Sequence, residues 1–305
     1  MFAPAQAISP CLAAPPRTED PQPRTQPLAL ELPGGPAVLA KDDPYSDRIR
    51  CDHPSEVSDP RAAEALGQAL LDAAHSCGRG RVVVLAPVTV ESGLEAAGYR
   101  REGLMPNFYR GEEDCAVLGA YPDAERAELA NPEPVAKVTA LLESAGESTR
   151  VHAPVTTRRA GVEDATPLAS LLAETFKEYP TPSGDPEYLA NAIEDGIPFR
   201  IVEQDGEPVA CASADLLRQA KTAELTDCAT RPEFRGRGYM QFILDDLIGD
   251  LRQLGYPTAF TLARAAIPGV NLAFARLGFE LCGTMPQSCR IGEGIEDMNI
   301  WSRAL

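Results

Sequence analysis

Histidine is scarce in this chain, and cysteine, though present eight times, never occurs as a CxxC pair. The histidines His53, His75 and His152 share no ligand-like spacing, so no metal is expected. Cys11, Cys51, Cys77, Cys115, Cys211, Cys228, Cys282 and Cys289 are scattered too widely for a disulfide framework, and reduced thiols in a cytoplasmic protein are expected. Basic residues are few: 28 Lys and Arg against 45 Asp and Glu leave a formal charge of −17, which argues against nucleic acid or an anionic membrane as partner. No apolar run approaches the length of a membrane span. The N-terminus lacks the charged segment and apolar core of a secretory signal.

What is present is the composition of a soluble globular protein, 44% hydrophobic and 24% charged over 305 residues, enough for two domains. Residues 1–36 are rich in Pro, Ala, Gln and Thr without periodicity, and a disordered tail is expected there. Residues 37–122 read as a small α/β domain. It has a helix over 62–74, a buried strand over 81–86, a short helix ending at Gly98, and a strand through Tyr109. Residues 123–150 form a connecting helical segment interrupted at Asn131-Pro132-Glu133-Pro134. Residues 151–305 form a second domain: a strand, two helices, and a hairpin turning at Asp205-Gly206. A central strand–turn–helix, a strand over 258–262, a helix over 271–277 and two closing strands complete it.

The central stretch organises the chain. A strand over Glu224–Thr230 turns through Pro232 into Arg235-Gly236-Arg237-Gly238. A helix follows whose Phe242, Ile243, Leu247, Ile248, Leu251 and Leu254 recur at three- and four-residue spacing. Such a turn holds a phosphate: free N–H groups point outward, glycine admits the ligand, and the helix dipole favours negative charge.

These residues resemble the pyrophosphate loop of the GNAT acetyltransferases. Asn271-Leu272-Ala273-Phe274-Ala275-Arg276-Leu277-Gly278-Phe279 resembles that family's second CoA-facing stretch. The resemblance implies an α/β (α+β) fold with a mixed, mostly antiparallel twisted sheet flanked by helices. The smaller preceding domain, which also ends helix–Gly–aromatic–strand, then reads as a degenerate half-copy. It implies acetyl-CoA as co-substrate, held by Cys228, Ala229, Thr230, Arg235, Gly236, Arg237, Gly238, Tyr239, Met240, Asn271 and Phe274. It makes Glu224 the candidate base, or orienter of a water, with Asp227 second. Because residues three apart on a regular strand face opposite ways, only one of the two is expected in the cleft. The chain departs from the family at Met240, where glycine or alanine is common, and at Phe274, where many members carry the tyrosine that protonates the leaving thiolate.

The narrower resemblance, over residues 37–303, is to the β-lysine Nε-acetyltransferases. It rests on Tyr45-Ser46-Asp47-Arg48-Ile49, Pro106-Asn107-Phe108-Tyr109-Arg110-Gly111, Glu224–Thr230, Thr261-Leu262-Ala263-Arg264-Ala265 and Gly294–Trp301. It implies acetylation of the ε-amine of β-lysine to give an osmolyte, with Arg264 on the substrate carboxylate and Glu296 or Asp297 on the second ammonium. Transfer to another small amine or a protein substrate, and a non-catalytic acyl-CoA sensor, stay open here, as does a homodimer.

Overall fold

Arg81-Val82-Val83-Val84-Leu85-Ala86 is apolar on both faces because each face is covered by a different core. In the computed structural model, which describes residues 25–35, 37–145, 155–176, 179, 181–292 and 294–305, this run is the centre of the first half. The elements there are β1 (Gln26–Glu31), β2 (Ala37–Asp43), β3 (Arg48–Asp52), α1 (Pro60–Cys77), β4 (Arg81–Pro87), α2 (Glu91–Ala96), β5 (Arg100–Tyr109) and β6 (Glu113–Ala120). Val82, Val84 and Ala86 pack under α1 with Leu66, Leu70 and Ala73. Val83 and Leu85 face the other way, onto Phe260, Met298 and Ile300 of the second half. β1 is a correction to the expected tail: Gln26–Glu31 pairs antiparallel with β2, burying Leu28 and Leu30. The rest of that expectation, residues 1–24, lies outside the described residues.

α3 (Pro132–Ala145) joins the halves, and the expected interruption is its start, since proline suits a first helical turn. The second half runs β7 (Arg158–Arg159), α4 (Ala165–Thr175), α5 (Pro186–Glu194), β8 (Phe199–Gln204), β9 (Glu207–Leu217), β10 (Thr222–Thr230), α6 (Tyr239–Gln253), β11 (Thr258–Arg264), α7 (Pro268–Arg276), β12 (Glu280–Ile291) and β13 (Gly294–Ala304). All strands belong to one sheet, in the order β1-β2-β3-β4-β6-β5-β12-β13-β11-β10-β9-β8-β7.

That order repeats itself. β1-β2-β3 is an antiparallel meander, β3 runs parallel to β4 across α1, and β6 then β5 complete the run. β8-β9-β10, parallel β11 across α6, then β13 and β12 do the same. The first half is thus a topological copy of the second, and the copies meet edge to edge where Gly103 of β5 pairs with Gly283 of β12.

β12 bulges between Met285 and Cys289, and the first half grips the bulge. Arg81 donates to the Pro286 carbonyl (2.6 Å), Arg126 to that of Gln287 (2.7 Å) and Arg48 to that of Ser288 (2.5 Å). Each arginine has its own carboxylate, Glu102, Asp47 and Asp43, so no unpaired charge is buried. The sheet curls so that the β5–β6 turn reaches the β9–β10 turn. There the Arg110 N–H donates to the Ala220 carbonyl at 2.6 Å, and the rings of Phe108 and Phe260 lie 5.1 Å apart.

Candidate active site

β10 and β11 begin as a parallel pair but stay in register only over Thr222–Glu224 against Thr258–Phe260. Beyond Glu224 they part, and a cavity of about 640 Å³ opens between them. Its walls include Leu225, Thr226, Asp227, Cys228 and Thr230 of β10, Thr261 to Arg264 of β11, and the phosphate-type turn. α7 closes it with Val270, Leu272, Ala273 and Phe274.

At the outer end, Gly236 and Gly238 adopt φ of 78° and 80°, conformations that a side chain would strain. α6 begins directly after Gly238 with no side-chain cap, so its first amides remain available to an anion. Arg235 and Arg237 fold back on the turn. Arg235 donates to the Thr230 carbonyl, while Arg237 donates to that of Glu233 and lies 4.8 Å from the Phe234 ring. Their charge remains beside the turn on exposed side chains. Tyr239 and Met240 line the cavity from the first turn of α6, and the Tyr239 ring stacks on Phe234. Cys228 and Thr230 border the cavity, while Ala229 is buried beneath α4 and α5.

At the inner end stand the two carboxylates, and here the regular-strand expectation fails. β10 is bulged between Thr226 and Ala229, with Asp227 in the left-handed region at φ 52°. The extra residue turns Asp227 to the face that carries Glu224. Glu224 and Thr226 pair with Asp215 and Ser213 of β9, and the Ser213 hydroxyl donates to Asp227 at 2.7 Å. Desolvation pushes Glu224 up to about 7, with Asp215, Asp52 and Asp227 adding to the rise and Arg50 opposing it. Desolvation also pushes Asp227 up to about 6, against the stabilising Ser213 hydrogen bond. Asp227 lines the cavity; Glu224 lies one step further along β10, half-buried on the seam between the halves.

Three expected binding residues are used differently. Asn271 is fully buried and internally satisfied: its amide donates to the Arg264 and Ile267 carbonyls, and its oxygen accepts from Asn299 and from the Trp301 indole. It fastens α7 to β11 and β13 and does not line the cavity. Asp297, 1% exposed, accepts from the amides of Ala130, Asn131 and Gln287 and anchors the connecting segment. Arg264 lines the cavity, but its guanidinium is paired with Glu296 at 2.5 Å, so the two neutralise one another. Phe274 lines the cavity and packs edge-on against Phe279.

Two residues escaped sequence reading. Tyr179, between α4 and α5, lines the cavity, and its hydroxyl lies 3.2 Å from that of Thr226. Burial holds its phenol well above the ordinary value, so it stays protonated. Arg50 of β3 faces Glu224 from the other half; the alternation Arg48-Ile49-Arg50-Cys51-Asp52 was the signal for its strand.

The sequence pattern of the acetyltransferase (GNAT) family matches residues 166–279. Over 249 residues the chain is 32% identical to the β-lysine N(6)-acetyltransferase of Methanosarcina mazei, covering 74% of this chain and 92% of that one. This chain belongs to the GNAT acetyltransferase family. Another relative, the N-acetyltransferase YodP of Bacillus subtilis, is 28% identical over 281 residues, 91% of this chain and 99% of that protein. A solved ribosomal-protein-alanine N-acetyltransferase from Brucella melitensis superposes with a TM-score of 0.44 at 22% identity, covering 50% of this chain and all of that one.

For a GNAT acetyltransferase the arrangement suits a CoA thioester. The uncapped α6 and positive-φ glycines form an anion cradle at one end, and a Cβ built at Gly236 meets nothing within 4 Å. The cavity then runs between parted strands to the Asp227 carboxylate at the other end. Among the described residues no group of His, Cys, Asp and Glu is arranged to hold a metal ion, and no helix is long and apolar enough to cross a membrane. Cys51, Cys115, Cys211, Cys228, Cys282 and Cys289 are free thiols, whereas Cys77 is disulfide-bonded and departs from the expected reduced set.

Proposed function

We propose that this enzyme transfers the acetyl group of acetyl-CoA to the ε-amine of β-lysine, giving an N-acetylated solute of the cytoplasm. The observation that supports the reading is one cavity that joins the anion-binding turn to the Asp227 carboxylate, with Glu224, pushed up to about 7, one step further along β10. Likeness over most of the chain to an enzyme named for β-lysine supports the substrate.

The turn from Gly236 to Met240 would hold the pyrophosphate, and Cys228 and Thr230 the arm leading inward. When bound, the thioester supplies an activated acyl carbon. The chain's own task is proton handling. An alkylamine with a pKa near 10.4 is almost wholly protonated at neutral pH. Glu224, pushed up to about 7, accepts that proton directly or through water while remaining substantially ionised. As the new C–N bond replaces the C–S bond, the sulfur leaves as thiolate. Tyr179 is the protonated phenol on the cavity wall and takes the part for which Phe274 has no hydroxyl.

Thiol release from acetyl-CoA with β-lysine, α-lysine and polyamines tests this, with Glu224→Gln alongside. Selective turnover of β-lysine that collapses in the variant is expected. Selective turnover of another amine keeps the acetyl transfer and removes the substrate. Binding of acetyl-CoA without turnover of any amine would point to an acyl-CoA sensor.

A further inference from the structure

The two copies place their third residues of parallel pairing in equivalent positions. In the first half Arg48, Ile49 and Arg50 lie opposite Arg81, Val82 and Val83; in the second Thr222, Ala223 and Glu224 lie opposite Thr258, Ala259 and Phe260. Arg50 is therefore the topological counterpart of Glu224. The first copy cannot use its own helix end for a phosphate, because Asp59 caps α1 and accepts from the amides of Arg61 and Ala62.

What remains in that copy is a polar strand face turned toward the other half. Ile49 and Cys51 point into the core under α1. Arg48, Arg50 and Asp52 take the opposite face, beside Val83 and Leu85, which belong to the seam core. Arg48 is spent on the Ser288 carbonyl and Asp43. Arg50 is not: its Nε donates to Asp52 at 2.6 Å, and its two terminal nitrogens have no hydrogen-bond partner among the described residues. Its side chain is 21% exposed and that of Asp52 18%, so both reach solvent within the seam. Lys41, at 3.6 Å from Asp52, helps to hold the pair.

Three further observations put this guanidinium at the acceptor end. Val83, opposite Arg50, and Phe260, opposite Glu224, belong to one core cluster across the seam. His53, just after β3, is hydrogen-bonded to the Tyr109 hydroxyl at 3.0 Å, and the neighbouring Arg110 amide binds Ala220 before β10. Ile291, which closes the strand carrying Cys289 near Arg48, lies on the cavity wall.

We propose that Arg50, set by Asp52, binds the carboxylate of the acceptor through its free terminal nitrogens, so that the degenerate copy selects an amino acid over a simple amine. The proposal rests on the acetyl-transfer reading above and names the group that distinguishes its substrate. A guanidinium with two adjacent open N–H directions matches a carboxylate bidentately. Asp52, Asp215 and Asp227, which surround Glu224, favour an acceptor with cationic amines.

Calorimetric binding of 3,6-diaminohexanoic acid and of its decarboxylated counterpart, 1,4-diaminopentane, tests the assignment. Wild type, Arg50→Ala and Arg50→Lys are compared, with the KM for both amines measured in parallel. The wild-type protein is expected to prefer the carboxylated ligand about 10- to 100-fold. Arg50→Ala is expected to abolish that preference by weakening the amino acid alone, and Arg50→Lys to restore part of it. A merely structural role would weaken both ligands equally, and this result overturns the proposal. A preference that survives in Arg50→Ala overturns it too while leaving the acetyl-transfer reading intact. Failure of either ligand to bind or react overturns both.

Discussion

Gly103 and Gly283 pair where β5 meets β12, and neither has room for a side chain. A Cβ at Gly283 would stand 2.0 Å from the Glu102 carbonyl oxygen, and one at Gly103 would stand 2.5 Å from Ile300 Cδ1. The two copies join where backbones touch. Gly283→Ala is expected to cost about 2 kcal/mol or more, since the obstacle is main chain and cannot rotate away. Gly249→Ala in α6 meets nothing within 4 Å and is the control, expected to be neutral or to stabilise by about 0.5–1 kcal/mol. Urea unfolding of the two variants settles the comparison; equal midpoints would mean that the seam tolerates separation.

The pH dependence follows from Glu224. In the proposed reaction its conjugate base is the active form, so kcat/KM is expected to fall as pH drops through about 7, and Glu224→Gln to lose ~100-fold or more together with that acid limb. Removing Arg50 takes away a cation that lowers this pKa, so the limb in Arg50→Ala moves to higher pH; Asp52, Asp215 and Asp227 push the same way. The stability sign is the opposite of an ion-paired carboxylate. A raised folded pKa means that the native state holds the proton more tightly, so the contribution is greatest below the unfolded value near 4.3 and is lost as pH rises through the folded one. Glu224→Gln should therefore raise Tm at pH 8 more than at pH 5. Unchanged Tm at both would show that the charge is well solvated.

Asn271 shows how a motif can be legible and its role misread. Spacing before Leu277-Gly278-Phe279 marks the residue, but nothing in a sequence tells whether an amide faces a ligand or the Trp301 indole. Its replacement by alanine leaves the buried Trp301 N–H and the Asn299 amide without their acceptor. A loss of about 3 kcal/mol is expected, with the KM for acetyl-CoA of the folded fraction unchanged. A large rise in KM without loss of stability would return Asn271 to the ligand.

Legibility followed locality. The β8–β9 turn at Asp205-Gly206, the amphipathic α6 and the glycine turn are set by residues adjacent in sequence, and each was readable. The seam was not, because Arg81, Arg126 and Arg48 meet β12 across sequence separations of 205, 161 and 240. That Asp227 shares the face of Glu224 was not legible for a related reason. A bulge is a register event between strands, and the partner Ser213 that stabilises it lies 14 residues away. Arg50 belongs to both cases, visible as an alternating strand residue but with a function set by the other half.

The final expectation uses the copies against each other. Asp59 satisfies the amides that open α1, whereas Gly238 leaves those of α6 free. Gly238→Asp should convert the second helix start into the first, with a carboxylate competing for the amides and repelling phosphate. Gly238→Ala carries the backbone strain of φ 80° without the carboxylate and isolates the charge. The KM for acetyl-CoA is expected to rise about 10-fold or more beyond the alanine variant, as the loss of a charge-assisted contact implies, while the KM for the amine stays level. The effect should shrink at high salt, where charge repulsion is screened but amide competition persists. Equal acetyl-CoA KM values for the aspartate and alanine variants would remove the helix end from CoA binding and leave only the glycine geometry.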